Sequence, residues 1–438
     1  MNEQTTQSTK LTPLEKKWVL YDVANSGYVL LATALLSFYF NFVSPTGNLT
    51  SVWANTNVIV TIIAVFLCPI LGTMADFSNK RKFFAIFAGI GILGCGLLSV
   101  FSFFSGGALA GILFLIVYIA TEVGFSSANV FYDSMLNDVT TDERMHNVSA
   151  NGYAWGYIGS CIPFVVCLIL YVLGSMVFKE LLGVAFTVCC LLTAAWWFYF
   201  TLPLYKSYEQ IHFLPKPEKP IKATFVRLGS LFKELFKNKK ALFFLIAFFF
   251  FIDGVHTIIK MAMTIGQDLF DFNSGTMGLV KLVLALFVTQ IVAFPAAIIF
   301  GRLASKHSCE KLLISCIIAY TLVGVLAVFM NYEWQFWVMA VVVGMFQGGI
   351  QAMSRSYFTK IVPAEKTGEF FGLYDIFGKS AAILGLGLIG SLSKVFPLSP
   401  AVSVNYALIP LPVLFLIGLA LFIYSMKIPA IDHNKKEE

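Results

Sequence analysis

The chain of 438 residues is 58% hydrophobic and only 12% charged, and its mean hydropathy is +0.80. Soluble domains carry roughly 25% charged residues because water covers their surfaces, so this composition excludes an ordinary soluble protein. The net charge of +6 comes from short basic runs between apolar segments, which is typical of membrane topology and does not indicate a nucleic-acid partner.

Twelve apolar stretches are long enough to cross a bilayer, which takes about 20 residues of helix. They lie at 18–43, 52–75, 83–105, 109–135, 151–174, 182–203, 241–265, 275–300, 310–330, 334–358, 370–394 and 402–426. The polar, lysine-rich stretch 204–240 contains three prolines and predicts a linker with a surface helix near 222–238. We therefore predict an all-α integral membrane protein of twelve transmembrane helices in two six-helix halves, 1–203 and 241–438.

The basic residues predict how these spans are oriented. If the N-terminus, the even-numbered connections and the C-terminus share one side, that side holds 25 of the 30 Lys and Arg residues. The other side holds only Lys179 and Lys394, and three lysines fall within spans. Because cytosolic loops carry the excess of basic residues, we expect both termini and the linker to be cytosolic.

Two connections repeat one pattern, GTMADFSNKRK at 72–82 and GRLASKHSCEK at 301–311. Each places a glycine at the end of a span and a basic cluster in a tight loop. The pair resembles the loop 2–3 signature of the major facilitator superfamily, G-x-x-x-D-x-x-G-R-[RK], with Asn79 at its second glycine and Ser305 at the acid of the second copy. The resemblance implies residues that hold the cytosolic side shut, namely Gly72, Asp76, Lys80, Arg81 and Arg302. For the basic residues the alternative is a role in topology alone.

Four further stretches indicate which branch of the superfamily the chain resembles: Trp18–Tyr28, Phe251–Ile258, Gly348–Phe358 and Glu369–Gly385. Together they look like the Atg22-like branch of the superfamily, which includes fungal vacuolar amino-acid effluxers and many bacterial members. Val23 and Gly27 stand where that branch has Trp and Ala, so the substrate does not transfer directly. The resemblance implies the major facilitator fold and amino-acid transport, and we expect the inner membrane of a bacterium.

Ionisable residues inside spans are costly, so they usually face a cavity or a charged partner. In the first span, Asp22 and Asn25 share one face, although Asp22 fits equally well as a helix-start acid. In the fourth span, Glu122, Asn129 and Asp133 form a stripe. Glu122 lies near the bilayer centre and is our first candidate for a substrate or coupling residue, with a structural ion pair to a lysine as the alternative.

Two spans of the second half carry similar stripes. The seventh has Asp253, His256 and Lys260 on one face, and histidine exchanges protons near neutral pH. The tenth has Gln347, Gln351 and Arg355, each one turn apart. Arg355 suits a substrate carboxylate, gate closure or snorkelling to the interface, and Lys260 suits a structural pairing with an acid.

These observations predict a secondary transporter that moves a small polar solute, such as an amino acid or a similar zwitterion, by alternating access. We expect proton coupling through Glu122 or Asp253, a monomer in the bilayer, and neither a metal, a cofactor nor an enzymatic activity. Two alternatives remain open. The 44 phenylalanines suit an exporter of drugs or lipid-like amphipaths, and a membrane receptor that senses a solute is the alternative of another class.

Overall fold

The structure is a computed structural model of the whole chain, and it describes 10–45, 49–77, 80–104, 107–215, 226, 230–231, 233–270, 275–304, 306–395 and 408–429. At 49–51, 54, 260–270, 275–280, 282–283, 379–383, 386–387 and 389–395 the backbone alone is described. The side chain of Lys260, a predicted site residue, and the whole of Ser305 therefore lie outside the described residues.

Helices dominate both halves of the chain. The first half contains α1 (Pro13–Ala34), α2 (Leu36–Val43), α3 (Leu49–Ala75), α4 (Lys80–Leu98), α5 (Ala108–Ser134), α6 (Leu136–Val139), α7 (Met145–Met176) and α8 (Leu182–Ser207). The second half contains α9 (Lys239–Phe270), α10 (Gly275–Leu303), α11 (Cys309–Val328), α12 (Glu333–Ile361), α13 (Thr367–Val395) and α14 (Pro410–Lys427). Short 3₁₀ turns at Ser99–Phe104, Lys179–Leu181 and Ala364–Lys366 join some of them.

The helices agree with the predicted spans. Among the described residues, ten helices are long and apolar enough to cross a membrane, and the α1–α2 pair, bent by 53°, makes an eleventh. Helix α13 occupies the remaining predicted span, 370–394. The prediction of twelve transmembrane helices in two halves is confirmed, with one correction: the span 18–43 is not one straight helix, because it breaks at Leu35.

The predicted linker is shorter at both ends than the sequence suggested. Helix α8 continues to Ser207 and α9 begins at Lys239. Much of the surface helix expected near 222–238 falls outside the described residues, although 233–237 is helical. The division of the chain at 203 and 241 stays a prediction.

Each half has its own apolar core, and the two halves meet where α3 packs against α13 and α7 packs against α10. Glycines permit both approaches, as small residues do between membrane helices. A Cβ at Gly72 of α3 would collide with the carbonyl oxygen of Gly368 in α13. A Cβ at Gly301 of α10 would lie 2.7 Å from the Cβ of Ala150 in α7. The two copies of the loop pattern therefore stand at equivalent crossings.

Candidate functional site

The helix ends beside the basic loops bring the two halves together. We call this end of the molecule the basic side, defined by the described connections 76–77, 135–144, 306–308 and 362–366; the charge distribution predicts that it is cytosolic. Here Asn137 Nδ2 donates to the carbonyl oxygen of Ala364 (2.9 Å), and Ser149 Oγ donates to that of Ala352 (3.0 Å). Both bonds join one half to the other, so the basic side is closed in this structure.

Arg355 of α12 lies at the centre of this contact. Its Nη1 donates to Asp133 Oδ1 of α5 at 3.0 Å, and its Nη2 lies 3.5 Å from Asp22 Oδ2 of α1. Its Nε and Nη2 also donate to the hydroxyl (3.0 Å) and carbonyl (2.9 Å) oxygens of Ser149 in α7. We call Arg355, Asp22, Asp133 and Ser149 the arginine cluster. It joins three helices of the first half to one of the second.

Aromatic rings surround the guanidinium of Arg355. Its Cζ lies 4.7 Å from the ring centre of Trp18, 4.2 Å from that of Tyr153 and 5.6 Å from that of Tyr132. The Tyr132 hydroxyl donates to Asp22 Oδ2 at 2.6 Å, which orients that carboxylate. A cation held over ring faces away from water gains about 2 kcal/mol or more. The rings therefore contribute to holding Arg355 in place.

Burial decides between the roles open to Arg355. Its side chain is 2% exposed, whereas the side chain of Asp133 is 22% exposed. A snorkelling arginine extends its charged end into water, so that alternative is wrong for this conformation. Arg355 instead sits between two carboxylates of the opposite half, and the accessible edge of the cluster is an acid.

Asp76 makes a second connection between the halves, at the start of α13. Its two carboxylate oxygens accept the backbone N–H groups of Gly368 (3.0 Å) and Glu369 (2.9 Å). The first N–H groups of a helix have no partner within the helix and carry a positive partial charge, so a carboxylate there is stabilising. The Asp76 side chain is fully buried, and Lys80 Nζ lies 3.6 Å from its Oδ1.

The basic run after Asp76 divides between two environments. Lys80 is fully buried and donates through Nζ to Thr367 Oγ1 of α13 (2.9 Å) and to the carbonyl oxygen of Ser134 (3.3 Å). Arg81 is exposed and lies over the ring of Tyr205 in α8, 4.9 Å from its centre. We call Asp76, Lys80 and Thr367 the aspartate latch; the described contacts of Arg81 lie outside it. Arg302, in the second copy, is exposed.

The start of the linker closes over the aspartate latch. Asp138 lies 3.8 Å from Lys80 Nζ, and its Oδ1 is 2.9 Å from both the backbone nitrogen and the Nδ1 of His212. Tyr208 also donates its hydroxyl to Asp138. The linker residues 208–212 are therefore attached to the same buried charges that hold the halves together.

The predicted polar residues of α1 and α5 meet in pairs away from the basic side. Asn25 Nδ2 donates to Asn129 Oδ1 at 2.8 Å, and the Tyr28 hydroxyl donates to Glu122 Oε1 at 2.8 Å. Together with the arginine cluster, these pairs form a polar seam along the two helices. The coupling role of Glu122 stays a prediction.

The predicted residues of the second half lie in two places. Gln351 of α12 accepts a hydrogen bond from the Tyr157 hydroxyl (2.6 Å), so it faces α7, and the side chain of Gln347, one turn earlier, is buried. Asp253 of α9 is fully buried and accepts from the backbone N–H of Gly385 in α13 at 3.1 Å. His256 is half-buried on the next turn of α9.

Comparisons with known proteins identify the family. The sequence profile of the family described as "Vacuole effluxer Atg22 like" matches residues 137–430, which is more than half of the chain. YxiO of Bacillus subtilis (strain 168), an uncharacterized MFS-type transporter, is 36% identical over 436 residues, and the match covers 98% of each protein. The chain belongs to the Atg22-like family of the major facilitator superfamily. It is a multi-pass membrane transporter, and the predicted family is confirmed.

More distant relatives agree with this Atg22-like assignment. Autophagy-related protein 22 of Coccidioides immitis (strain RS) is 24% identical over 295 residues, which cover 60% of this chain and 47% of that protein. The chain thus spans about half the length of this fungal relative. The crystal structure of the transporter FucP in the outward conformation covers 95% of this chain and 99% of its own, with a TM-score of 0.70 and 12% identity. The likeness to FucP shows the fold alone.

Several residues of this Atg22-like site carry no distinctive signal in the sequence. Trp18, Tyr132 and Tyr153 surround Arg355, but aromatic residues are common throughout the chain. Asp138 lies in the short helix α6, and its partner His212 lies 74 residues away. The sequence YDSMLND at 132–138 contains one signal that could have indicated Asp138, because its two acids flank the end of a predicted span.

The contact between His212 and Asp138 makes one pH-dependent prediction. The hydrogen bond to Asp138 raises the pKa of His212, aided by Glu365 and opposed by burial and Lys80. Burial opposes ionisation of Asp138, but its bonds to His212 and Tyr208 and the charge of Lys80 lower its pKa. The contribution of protonated His212 to the free energy of unfolding is therefore complete below the ordinary histidine pKa of about 6.5. It is lost as pH rises through the raised pKa.

We expect His212→Gln to lower the unfolding midpoint of the purified protein more at pH 6 than at pH 9. The difference between the wild type and the variant measures the contribution of His212, because other titrating groups cancel. At much lower pH the effect should also fade, since Asp138 gains a proton as pH drops through its lowered pKa. A difference that stays constant from pH 6 to pH 9 would contradict the charged pairing.

Proposed function

We propose that this transporter moves a small zwitterion, with amino acids as the favoured class, by alternating access between the two sides of the membrane. The arginine cluster is the observation that carries the proposal. It places a buried cation between two carboxylates at the junction of the halves, with the Asp133 side chain 22% exposed. An amino acid carries the same two charges, one of each sign, in one small molecule.

A zwitterion can replace the contacts that the cluster makes with itself. Removing one partner from a buried ion pair costs about 3–5 kcal/mol, because the remaining charge is left without compensation. If the halves separate, Arg355 loses Asp22 and Asp133 together. A substrate carboxylate bound to Arg355 and a substrate ammonium bound to the acids would compensate both sides. Transport of such a substrate therefore avoids the full cost of breaking the cluster.

The closed basic side supplies the other requirement of alternating access. The arginine cluster and the aspartate latch lie on the same side, and both must break before that side opens. Because the ion pairs of Arg355 and the bonds from α13 to Asp76 exist only between the halves, together they stabilise one conformation over the other. The substrate enters from the opposite side in the conformation seen here, and the halves then rock about the cluster.

The comparisons support the transport function that this proposal rests on. The matching family is described as vacuole effluxers, and the relative YxiO as an MFS-type transporter. For this chain we propose residence in a bacterial inner membrane with both termini cytosolic, and action as a monomer. Proton coupling through Glu122 or Asp253 is part of the proposal, and the gradients of solute and proton would set the direction of net flux.

A ligand screen followed by flux tests this function. The purified protein is heated in the presence of the twenty amino acids, small peptides, sugars and cationic amphipaths. A ligand at 100 times its dissociation constant stabilises the folded state by about 2.7 kcal/mol, which is readily seen as a raised midpoint. We expect amino acids to stabilise the protein. We expect Asp133→Asn to lower the affinity for the stabilising amino acid at least tenfold. Stabilisation by amphipaths alone would favour the drug-exporter alternative.

Two further variants test whether transport is coupled to protons. Flux of the stabilising amino acid into proteoliposomes is measured with and without an imposed pH gradient. We expect Glu122→Gln or Asp253→Asn to abolish the response to the gradient while exchange of unlabelled for labelled solute continues. If both variants keep the full response, neither carboxylate carries the coupling proton.

A further inference from the structure

An open cleft of about 520 Å³ lies on the outer face of the first half, beside the aspartate latch. The first turns of α4, the C-terminal end of α8 and the start of the linker form its walls. Its polar lining consists of Arg81, Lys82, Tyr205, Tyr208, Glu209 and Gln210. The cleft is distinct from the arginine cluster, and the transport cycle described above does not use it.

The charges of the cleft favour an anionic ligand. Arg81 and Lys82 are both exposed, in contrast to the buried Lys80 beside them. They oppose a single acid, Glu209, so the lining carries a surplus positive charge. The guanidinium of Arg81 rests over the Tyr205 ring at 4.9 Å, which directs a fixed cation toward the cleft. Arg and Lys in such a place bind phosphate groups.

An apolar stripe on α4 continues from the cleft toward the middle of the membrane. Ile86, in the cleft wall, is 44% exposed, and it is followed on the same face by Ile90 (40%), Leu93 (69%) and Leu97 (55%). These positions are four, three and four residues apart, which keeps them on one side of the helix. A ligand that uses both features carries an anionic group and a long hydrocarbon chain. Inorganic phosphate would contact only the basic residues of the cleft and not the apolar stripe.

We propose that this cleft binds the headgroup of an anionic phospholipid, with an acyl chain lying along the stripe from Ile86 to Leu97. The site lies where a basic loop meets the lipid surface, at the depth of the headgroups. Juxtamembrane Lys and Arg residues commonly attract anionic lipids there.

Binding would reinforce the closed basic side. Gln210 lines the cleft, and its Oε1 also accepts the backbone N–H of Lys80 (3.1 Å) while its Nε2 donates to the carbonyl oxygen of Ala75 (3.3 Å). Tyr208 also lines the cleft and donates its hydroxyl to Asp138. A headgroup packed against these two side chains restricts the start of the linker, which holds Lys80 and Asp138 in place. The lipid thereby favours the conformation in which the latch is formed.

The test compares lipids on the purified, delipidated full-length protein. Affinities for dioleoyl phosphatidylglycerol and dioleoyl phosphatidylcholine are measured by native mass spectrometry, and unfolding midpoints are measured with each lipid and with inorganic phosphate. We expect phosphatidylglycerol alone to raise the midpoint. Each basic residue near the surface contributes roughly fivefold in affinity, so Arg81→Gln with Lys82→Gln should weaken phosphatidylglycerol about 25-fold.

A matched variant controls for general charge. Lys306→Gln with Lys311→Gln removes two exposed lysines from the corresponding stretch 301–311 of the second half, and it should change the affinity less than twofold. Both double variants alter exposed side chains only, and equal midpoints without lipid would show that they fold. The proposal is overturned if both variants bind phosphatidylglycerol equally, or if inorganic phosphate stabilises the wild type as strongly as the lipid.

Discussion

Replacing Arg355 by Gln will open the basic side and abolish transport. The change leaves Asp22 and Asp133 near each other with no cation between them, in a region where the arginine side chain was 2% exposed. Loss of one partner from a buried ion pair costs about 3–5 kcal/mol. Because that cost falls on the closed conformation alone, the ratio of closed to open molecules should drop more than 100-fold.

Hydrogen–deuterium exchange in proteoliposomes measures this opening directly. We expect faster exchange in 136–150 and 352–368 of Arg355→Gln, because these segments contact each other only when the basic side is closed. Lys360→Gln is the matched control, since it removes a cation from the same helix at an exposed position. Its exchange and flux should equal those of the wild type.

A second variant separates the charge imbalance from the loss of the arginine itself. Adding Asp133→Asn to Arg355→Gln removes one of the two uncompensated acids, so the closed basic side should regain part of its protection. Transport should stay abolished, because the substrate carboxylate would still lack its cation. Unchanged exchange and flux in Arg355→Gln would show that the arginine cluster neither seals the basic side nor binds substrate.

The fold was predictable because lipid imposes simple rules. A continuous apolar run must be a helix if it crosses the bilayer, and the excess of Lys and Arg in the cytosolic loops indicates how the helices are oriented. The bend at Leu35 was not predictable on the same grounds, since no proline or glycine stands between Tyr28 and Val43 to mark it. Helix ends also shifted by several residues, as with α8 and α9, because hydropathy falls gradually near the interface.

The site was predictable only where its chemistry is local in sequence. Asp76 stands within an eleven-residue motif, and Asp22, Asp133 and Arg355 were noticed because each is a charge inside a span. Which charges pair depends on the depth and rotation of the helices, and the sequence gives no measure of either. The contact between Asp138 and His212 forms only because the start of the linker folds back onto the first half. No pattern in the sequence predicts this fold of the linker.

The division of the basic run at 80–82 shows the same limit. Three consecutive cations look equivalent in the sequence, yet one turn of helix sends Lys80 into the latch and leaves Arg81 and Lys82 exposed. Successive residues of a helix point about 100° apart, so neighbours rarely share an environment. Their roles separate only when the neighbours of α4 are known, namely Ser134 and Thr367 for Lys80 and Tyr205 of α8 for Arg81.

Asp76→Asn should weaken the aspartate latch and shift the protein toward the conformation with an open basic side. The carboxylate accepts two N–H groups from the start of α13, whereas an amide offers one acceptor oxygen and removes the charge. Hydrogen bonds to charged groups contribute about 1.5–3 kcal/mol, so the closed population should fall roughly 10- to 100-fold relative to the open one. Exchange at 367–372 reports the opening, and Asp142→Asn, an exposed acid on the same side, is the control.

A steric variant tests the same latch without changing any charge. Gly72→Ala places a methyl group against the backbone carbonyl of Gly368, which cannot move aside as a flexible side chain can. It should open the basic side in the same direction as Asp76→Asn, whereas Gly89→Ala, which meets open space on α4, should not. If Asp76→Asn and Gly72→Ala both match their controls, the crossing of α3 and α13 does not govern the conformation. Should only Gly72→Ala act, close packing holds the halves together there and the carboxylate serves another purpose.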